Sequence, residues 1–189
     1  MLTYLCLTDR LALEIVTPFN ALELFSLVDA NRDHLREYLP WVDATKSSDD
    51  SASFIKGALK RFAEARELTY FIKQDGCIIG IISLWLEYPD TNTHEIGYWL
   101  AKSHTNQGIM THCVARLLEM AFSSLQAKKV QISCATTNTA SNRLAQKAGM
   151  KLEGLIRNVE KVNDSIYDHH VYGILEAEYR KMAQTSASS

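Results

Sequence analysis

His94-Glu95-Ile96-Gly97-Tyr98-Trp99-Leu100 leads through a polar loop to Gln107-Gly108-Ile109-Met110-Thr111 and on to Phe122, and this stretch decides the fold. The first part is aromatic, apolar and of strand length. The last part sets Met110, Cys113, Val114, Leu117, Leu118, Ala121 and Leu125 at helical spacing. A strand that enters a helix through a loop with glycine at the helix start is anion-binding hardware. The first helix amides have no internal partner, and the helix dipole adds partial positive charge there. A second strand, Val130 to Ala135, completes a β–loop–α–β unit whose crossover closes right-handed over a partly parallel sheet.

The following segment raises the specificity. Asn138-Thr139-Ala140-Ser141-Asn142-Arg143-Leu144 opens another helix, capped by Asn138 or Thr139 and stopped at Lys147-Ala148-Gly149. Met150-Lys151-Leu152-Glu153-Gly154 reads as the start of a strand, and a hairpin runs from Gly154 to Tyr172. Together these pieces resemble the GNAT acetyltransferase superfamily, most closely its Rim-type branch, which acetylates N-termini of ribosomal proteins. The matching residues are Glu95 to Leu100, Gly108-Ile109-Met110-Thr111, Asn138 with Ser141, Ala148-Gly149-Met150 and the late hairpin. The resemblance covers about residues 8–178.

One departure stands out. The superfamily's phosphate loop usually reads Gln/Arg-x-x-Gly-x-Gly/Ala, where this chain has Thr105-Asn106-Gln107-Gly108-Ile109-Met110. The cradle is mostly backbone N–H, so side-chain changes need not abolish it. Asn106 is also among the non-glycine residues best suited to positive φ.

Bulk properties fit one enzyme-sized domain. The 189 residues contain 47% hydrophobic and 22% charged residues, ordinary globular values. A net charge of −2 gives no support for nucleic-acid binding. Cys6, Cys77, Cys113 and Cys134 are widely spaced, which suits reduced thiols in a cytoplasm and neither a disulfide frame nor a zinc site. Thr8-Asp9-Arg10 breaks the early apolar residues, so no signal peptide is expected, and no run approaches a membrane span.

Outside the central unit, Arg10 to Val16 reads as a strand and Pro18 starts a helix carrying Leu22, Leu24, Phe25 and Val28. A second helical patch ends near Tyr38-Leu39-Pro40-Trp41. Ser47-Ser48-Asp49-Asp50 caps a helix with Phe54, Ile55, Ala58, Leu59 and Phe62. Leu68 to Lys73 and Cys77 to Leu86 flank the turn Gln74-Asp75-Gly76 as a hairpin, and a last strand covers Ile166 to Leu175. The expected order is β-α-α-β-β-β-α-β-α-β-β, an α+β domain over residues 1–182. It has a twisted, mostly antiparallel sheet with a central parallel pair, and residues 183–189 are expected to be a disordered tail.

The resemblance implies acetyl-CoA as co-substrate, no metal, and direct attack of a primary amine on the thioester. It implies cofactor contacts from Tyr98, Trp99, Leu100, Thr105, Asn106, Gln107, Gly108, Ile109, Met110, Thr111 and Asn138. Glu160 would accept the amine proton, directly or through a water, and Ser141 would hydrogen-bond the leaving sulfur. Tyr38 and Trp41 would wall the acceptor cleft and Glu95 line the amine path. Each has a plainer reading: a solvated hairpin carboxylate for Glu160, a first-turn residue bonded to local backbone for Ser141, a helix cap for Asn138, a water-facing strand residue for Glu95, and ordinary aromatic packing for the other two. His169-His170 suggests a metal pair, but strand neighbours point to opposite faces. The acceptor is a protein N-terminus by resemblance. A polyamine or aminoglycoside, possible if Asp49, Asp50, Glu64 and Glu67 formed an acidic pocket, and a non-catalytic CoA-binding module are the alternatives. A homodimer is expected by resemblance alone.

Overall fold

The computed structural model describes residues 3–187. One eight-stranded sheet runs through the molecule in the order β1-β2-β3-β4-β5-β6-β8-β7. Its strands are β1 (Tyr4–Cys6), β2 (Leu11–Ile15), β3 (Glu67–Gln74), β4 (Cys77–Tyr88), β5 (Thr93–Leu100), β6 (Lys129–Ala135), β7 (Lys151–Val162) and β8 (Ser165–Leu175). Every neighbouring pair is antiparallel except β5–β6. The helices are α1 (Ala21–Asp29), α2 (Arg32–Leu35), α3 (Ser48–Ala63), α4 (Ile109–Ser123), α5 (Thr139–Lys147) and α6 (Glu176–Ala187).

Strand alternation divides the core in two. Ile79, Ile82, Leu84, Ile96 and Leu100 face α4, whose Cys113, Val114, Leu117 and Leu118 pack onto them. Phe71, Ile78 and Ile81 point the other way, to Leu24 and Val28 of α1 and Ile55 and Ala58 of α3. Of the expected apolar stripes, Leu24, Val28, Ile55 and Ala58 are buried, whereas Leu22, Phe54 and Phe62 stay exposed, and Pro18 opens a short 3-10 turn before α1. Helix α3 begins with a complete capping box, in which Ser47 accepts from the Asp50 amide and Asp50 accepts from the Ser47 amide. The β3–β4 turn places Asp75 at φ +51° and Gly76 at φ +84°, the geometry that an Asp-Gly hairpin provides.

Two elements go beyond the sequence reading. β1 is three residues long with only Leu5 buried, too short to leave a periodic signal. α6 extends to Ala187, past the expected boundary at residue 182, and Tyr179 stacks on Phe122 of α4 with ring centroids 4.8 Å apart. Ser188 and Ser189 lie outside the described residues.

The feature that positions the site is a split in the sheet. β5 and β6 pair only over Thr93↔Lys129, His94↔Val130 and Glu95↔Gln131. Beyond Glu95, β5 keeps its partner β4 up to Gly80↔Leu100, while β6 continues with β8 to Ala135↔His169. One backbone edge of Ile96 to Leu100 is therefore left without a strand partner, and such groups seek another acceptor or donor.

Candidate active site

A groove of about 690 Å³ opens at this split. It runs along Tyr98, Trp99 and Leu100, between the N-termini of α4 and α5, and under Tyr38 from the segment after α2. All eleven residues expected at the cofactor line it, together with Ser141 and Tyr38. Trp41 lines a neighbouring cavity instead, and Glu95 and Glu160 line neither.

The α4 end of the groove is a backbone cradle. Asn106 takes φ +60° and Gly108 φ +77°, so two left-handed residues turn the loop into the helix. The Thr105 hydroxyl donates to Lys102 O at 2.8 Å, and Gln107 Nε2 donates to Ser103 O at 2.7 Å. Both side chains thus brace the loop, and the unusual Thr105-Asn106 pair is accommodated. The first helical bond in this turn runs from His112 N to Gly108 O, so the amides of Gln107 to Thr111 have no acceptor among the described residues. A Cβ built on Gly108 meets no atom within 4 Å, which leaves open space over these amides. Successive unpaired N–H groups at a helix start, with open space above them, fit a diphosphate.

The α5 end supplies side chains. Asn138 Oδ1 accepts from Ser141 N at 3.1 Å, so its capping role is met while it lines the groove. Ser141 is buried, and its hydroxyl lies 2.6 Å from the Tyr98 hydroxyl. Burial pushes the Tyr98 phenol far above its ordinary range, so it stays neutral. The Cys134 thiol of β6 is also raised by burial. Arg143 and Lys147, spaced i and i+4 on α5, add positive charge at the groove wall.

The β7–β8 hairpin lies beyond the groove, next to β6. The register jumps from Ile156↔His169 to Glu160↔Tyr167, and Asn158 adopts φ +53° while its amide donates to Asp168 at 2.9 Å. Such a bulge re-aims the following side chain. Here it brings Glu160 Oε2 to 3.2 Å from His169 Nε2, although that nitrogen, fully buried, lacks hydrogen-bond alignment. The other nitrogen, Nδ1, lies 3.0 Å from Ser133 Oγ, on the part of β6 that has parted from β5. His170 points to the opposite face, 2.7 Å from Asn142 Oδ1, as strand alternation requires. Tyr38 straps the opening: its hydroxyl donates to Thr137 O at 3.3 Å and its ring stands 5.8 Å from that of Tyr167.

Glu95 sits at the closed end of the split. It lies where β5 is still paired with β6, and its carboxylate accepts from Gln131 Nε2 at 2.6 Å. Burial raises its pKa, against the effect of that bond. The sequence reading missed Ser133, His169, and the Arg143–Lys147 pair. The last carried a signal, basic residues one helical turn apart just after a capping asparagine. The first two are joined only by the β6–β8 register, Ala135↔His169 and Ser133↔Val171.

Comparison with known proteins agrees with this geometry. Residues 10–151 match the family model described as an acetyltransferase (GNAT) domain. The Escherichia coli ribosomal-protein-serine acetyltransferase is 28% identical over 165 residues, covering 87% of this chain and 92% of that one. The self-immunity acetyltransferase MccE, solved in complex with acetyl-CoA and AMP, superposes with a TM-score of 0.85 at 28% identity, over 89% of this chain and 94% of that one. The ribosomal α-N-protein acetyltransferase RimL, solved with coenzyme A, shares the fold with a TM-score of 0.87 at 24% identity, over 91% and 97% of the two chains.

Proposed function

This chain belongs to the acetyltransferase (GNAT) domain family and is an acetyl-CoA-dependent N-acetyltransferase, and we propose that its acceptor is the N-terminal α-amine of a protein, a ribosomal protein or one like it. The observation that carries the reading is the free edge of β5 abutting the unpaired amides at the head of α4. Acetyl-CoA supplies an acyl group already activated as a thioester. What remains for the chain is to hold, orient and move protons.

Gln107 to Thr111 grip the diphosphate through their amides, with Arg143 and Lys147 adding charge attraction. The unpaired backbone of Tyr98 to Leu100 runs alongside the arm that follows, and one N–H there polarises the carbonyl. Ser141, backed by the Tyr98 hydroxyl, serves the departing sulfur with a hydrogen bond. Glu160 takes the amine proton, with His169 and Ser133 extending a polar path into the split. Holding both reactants in one geometry can supply several kcal/mol, on the order of 7–11 in favourable cases.

The acid–base demand favours an α-amine. With a pKa near ~7.7 it costs about 1 kcal/mol to deprotonate at pH 7, against about 4.6 kcal/mol for a lysine amine near ~10.4. A polyamine would call for acidic walls. Asp50 is committed to its capping box and Glu67 to Arg61, and neither Asp49 nor Glu64 lines the cofactor groove or the cavity beside it. The similarity to a ribosomal-protein-serine acetyltransferase supports the protein acceptor. Exposed free thiols at Cys6 and Cys77 support a reducing, cytoplasmic setting. Exposed Leu152, Leu155, Ile156 and Val159 on the edge strand β7 support a homodimer, which sizing chromatography tests.

Thiolate release from acetyl-CoA with a panel of peptides and polyamines tests the acceptor. Turnover with peptides upholds the reading and turnover with polyamines alone replaces it. Binding of CoA without turnover of any amine would leave a non-catalytic module.

A further inference from the structure

A second cavity, about 340 Å³, lies on the opposite face of β5 from the cofactor groove. The two cavities share Leu39, Tyr98 and Trp99, so they meet at the free edge of β5. Its walls are aromatic and aliphatic: Trp41, Phe54, Trp85, Trp99, Leu24 and Ile81. Trp41 and Trp99 form a tilted pair with centroids 6.0 Å apart, and Trp41 and Phe54 remain 37% and 41% exposed. Gly97 makes the floor possible. A Cβ there would stand 2.7 Å from the Trp85 ring, so only glycine lets that indole lie across β5.

Most polar groups that line it are already engaged within the chain, and the buried Ser51 adds one further hydroxyl. Asp50 accepts from the amides of Lys46 and Ser47 and from the Ser47 hydroxyl. Thr45 donates to Trp41 O, and Ser83 shares a 2.9 Å hydrogen bond with Thr69. What the cavity offers an occupant is therefore mainly apolar surface and ring faces. Its volume falls near the low end of small-molecule pockets, ~300–1,000 Å³, enough for one large side chain and not for a folded segment.

We propose that this aromatic cavity is the acceptor's selectivity pocket, and that it takes a large aromatic or branched aliphatic group carried next to the amine. The proposal rests on the acetyltransferase reading above and deepens it by naming the acceptor's chemistry. An amine attached to a group seated between Trp41, Phe54 and Trp85 emerges at the shared wall of Tyr98 and Trp99. That is the point where the cofactor groove ends on the other face of the strand. Polyamines and sugars, whose polar groups outnumber the few polar partners there, are disfavoured.

The test uses two matched acceptor sets with saturating acetyl-CoA. One holds short peptides identical except for Phe, Leu, Ala or Asp in the first two positions; the other compares phenethylamine with propylamine. The expected kcat/KM is about 10- to 100-fold higher for the aromatic member of each set, the fold-change that burying a phenyl group corresponds to. The ratio should fall to within about threefold in Phe54→Ala and Trp85→Leu. A further readout needs no turnover. The chain has 3 tryptophans, Trp41, Trp85 and Trp99, and all line this cavity, so binding of the aromatic acceptor should change intrinsic fluorescence while its Ala counterpart should not. Peptide turnover with no aromatic preference overturns the pocket and leaves the peptide reading standing. Turnover of phenethylamine but of no peptide overturns the peptide reading and upholds the pocket. A preference that survives both substitutions, or no fluorescence change with any aromatic acceptor, overturns the pocket.

Discussion

Replacing Gly108 by alanine separates the cradle's role in binding from its role in folding. Gly108 holds φ +77°, and a Cβ there meets no protein atom within 4 Å. The folding cost is then only that of a left-handed non-glycine residue, about 1–2 kcal/mol. In a chain of this length that lowers Tm by about 2–8 °C. Binding should suffer more, because Gly108 lines the groove among the unpaired amides and the new methyl would take up open space there. Losing one charge-assisted hydrogen bond to phosphate costs about 1.5–3 kcal/mol, which weakens CoA binding about 10- to 150-fold. Gly76 provides the matched control: φ +84°, open space around its Cβ, and a place in the β3–β4 turn outside the groove. Titration calorimetry with CoA, beside thermal melts, should find similar melting losses for Gly108→Ala and Gly76→Ala, with affinity lost only in the first. Undiminished CoA affinity in Gly108→Ala, or equal losses in both variants, would refute the placement of the diphosphate.

Four further outcomes are expected. Glu160→Gln should lower kcat at neutral pH by about 10²- to 10⁴-fold, and wild-type rates would remove Glu160 from the reaction. Tyr98→Phe strips Ser141 of its 2.6 Å partner; urea unfolding should register a loss of about 1–3 kcal/mol, and kcat should fall with it. Ser47→Ala breaks the α3 capping box and should cost about 1 kcal/mol in the same assay without altering CoA affinity. Burial lowers the pKa of His94 below its ordinary 6.5, so the unfolded chain binds more protons there. Its contribution to stability is complete above pH 6.5 and is lost as pH falls from there through the folded value. His94→Gln should flatten this part of the pH profile, and a profile identical to wild type would discount the residue.

Local chemistry made much of the fold legible. The Ser47–Asp50 box, the Asp75-Gly76 hairpin and the stripe of α4 are short-range patterns with counterparts in the structure, and the stripes of α1 and α3 hold in part, with Leu22, Phe54 and Phe62 exposed. The left-handed turn into α4 was legible for the same reason, since helix start, glycine and Asn106 lie within a few residues. What escaped depends on distant pairing. The split between β5 and β6 is a property of register, and no residue of either strand announces it. Trp41, Phe54, Trp85 and Trp99 come from four separate segments, collected by the packing of α3 and the loop after α2 onto β4 and β5. His169 seemed one half of a discarded metal pair because its neighbour drew the eye. Its actual companions, Ser133 and Glu160, lie 36 residues away in one direction and across a bulge in the other. Glu95 shows the same dependence on register, since the last paired rung of β5–β6 holds it against Gln131.

An amide-resolved NMR titration of the protein with coenzyme A tests the central claim most directly. The amide signals of Gln107, Gly108, Ile109, Met110 and Thr111 should move together, saturably, at the lowest ligand concentrations. Saturable binding that leaves those five signals in place, or the absence of binding, would contradict it.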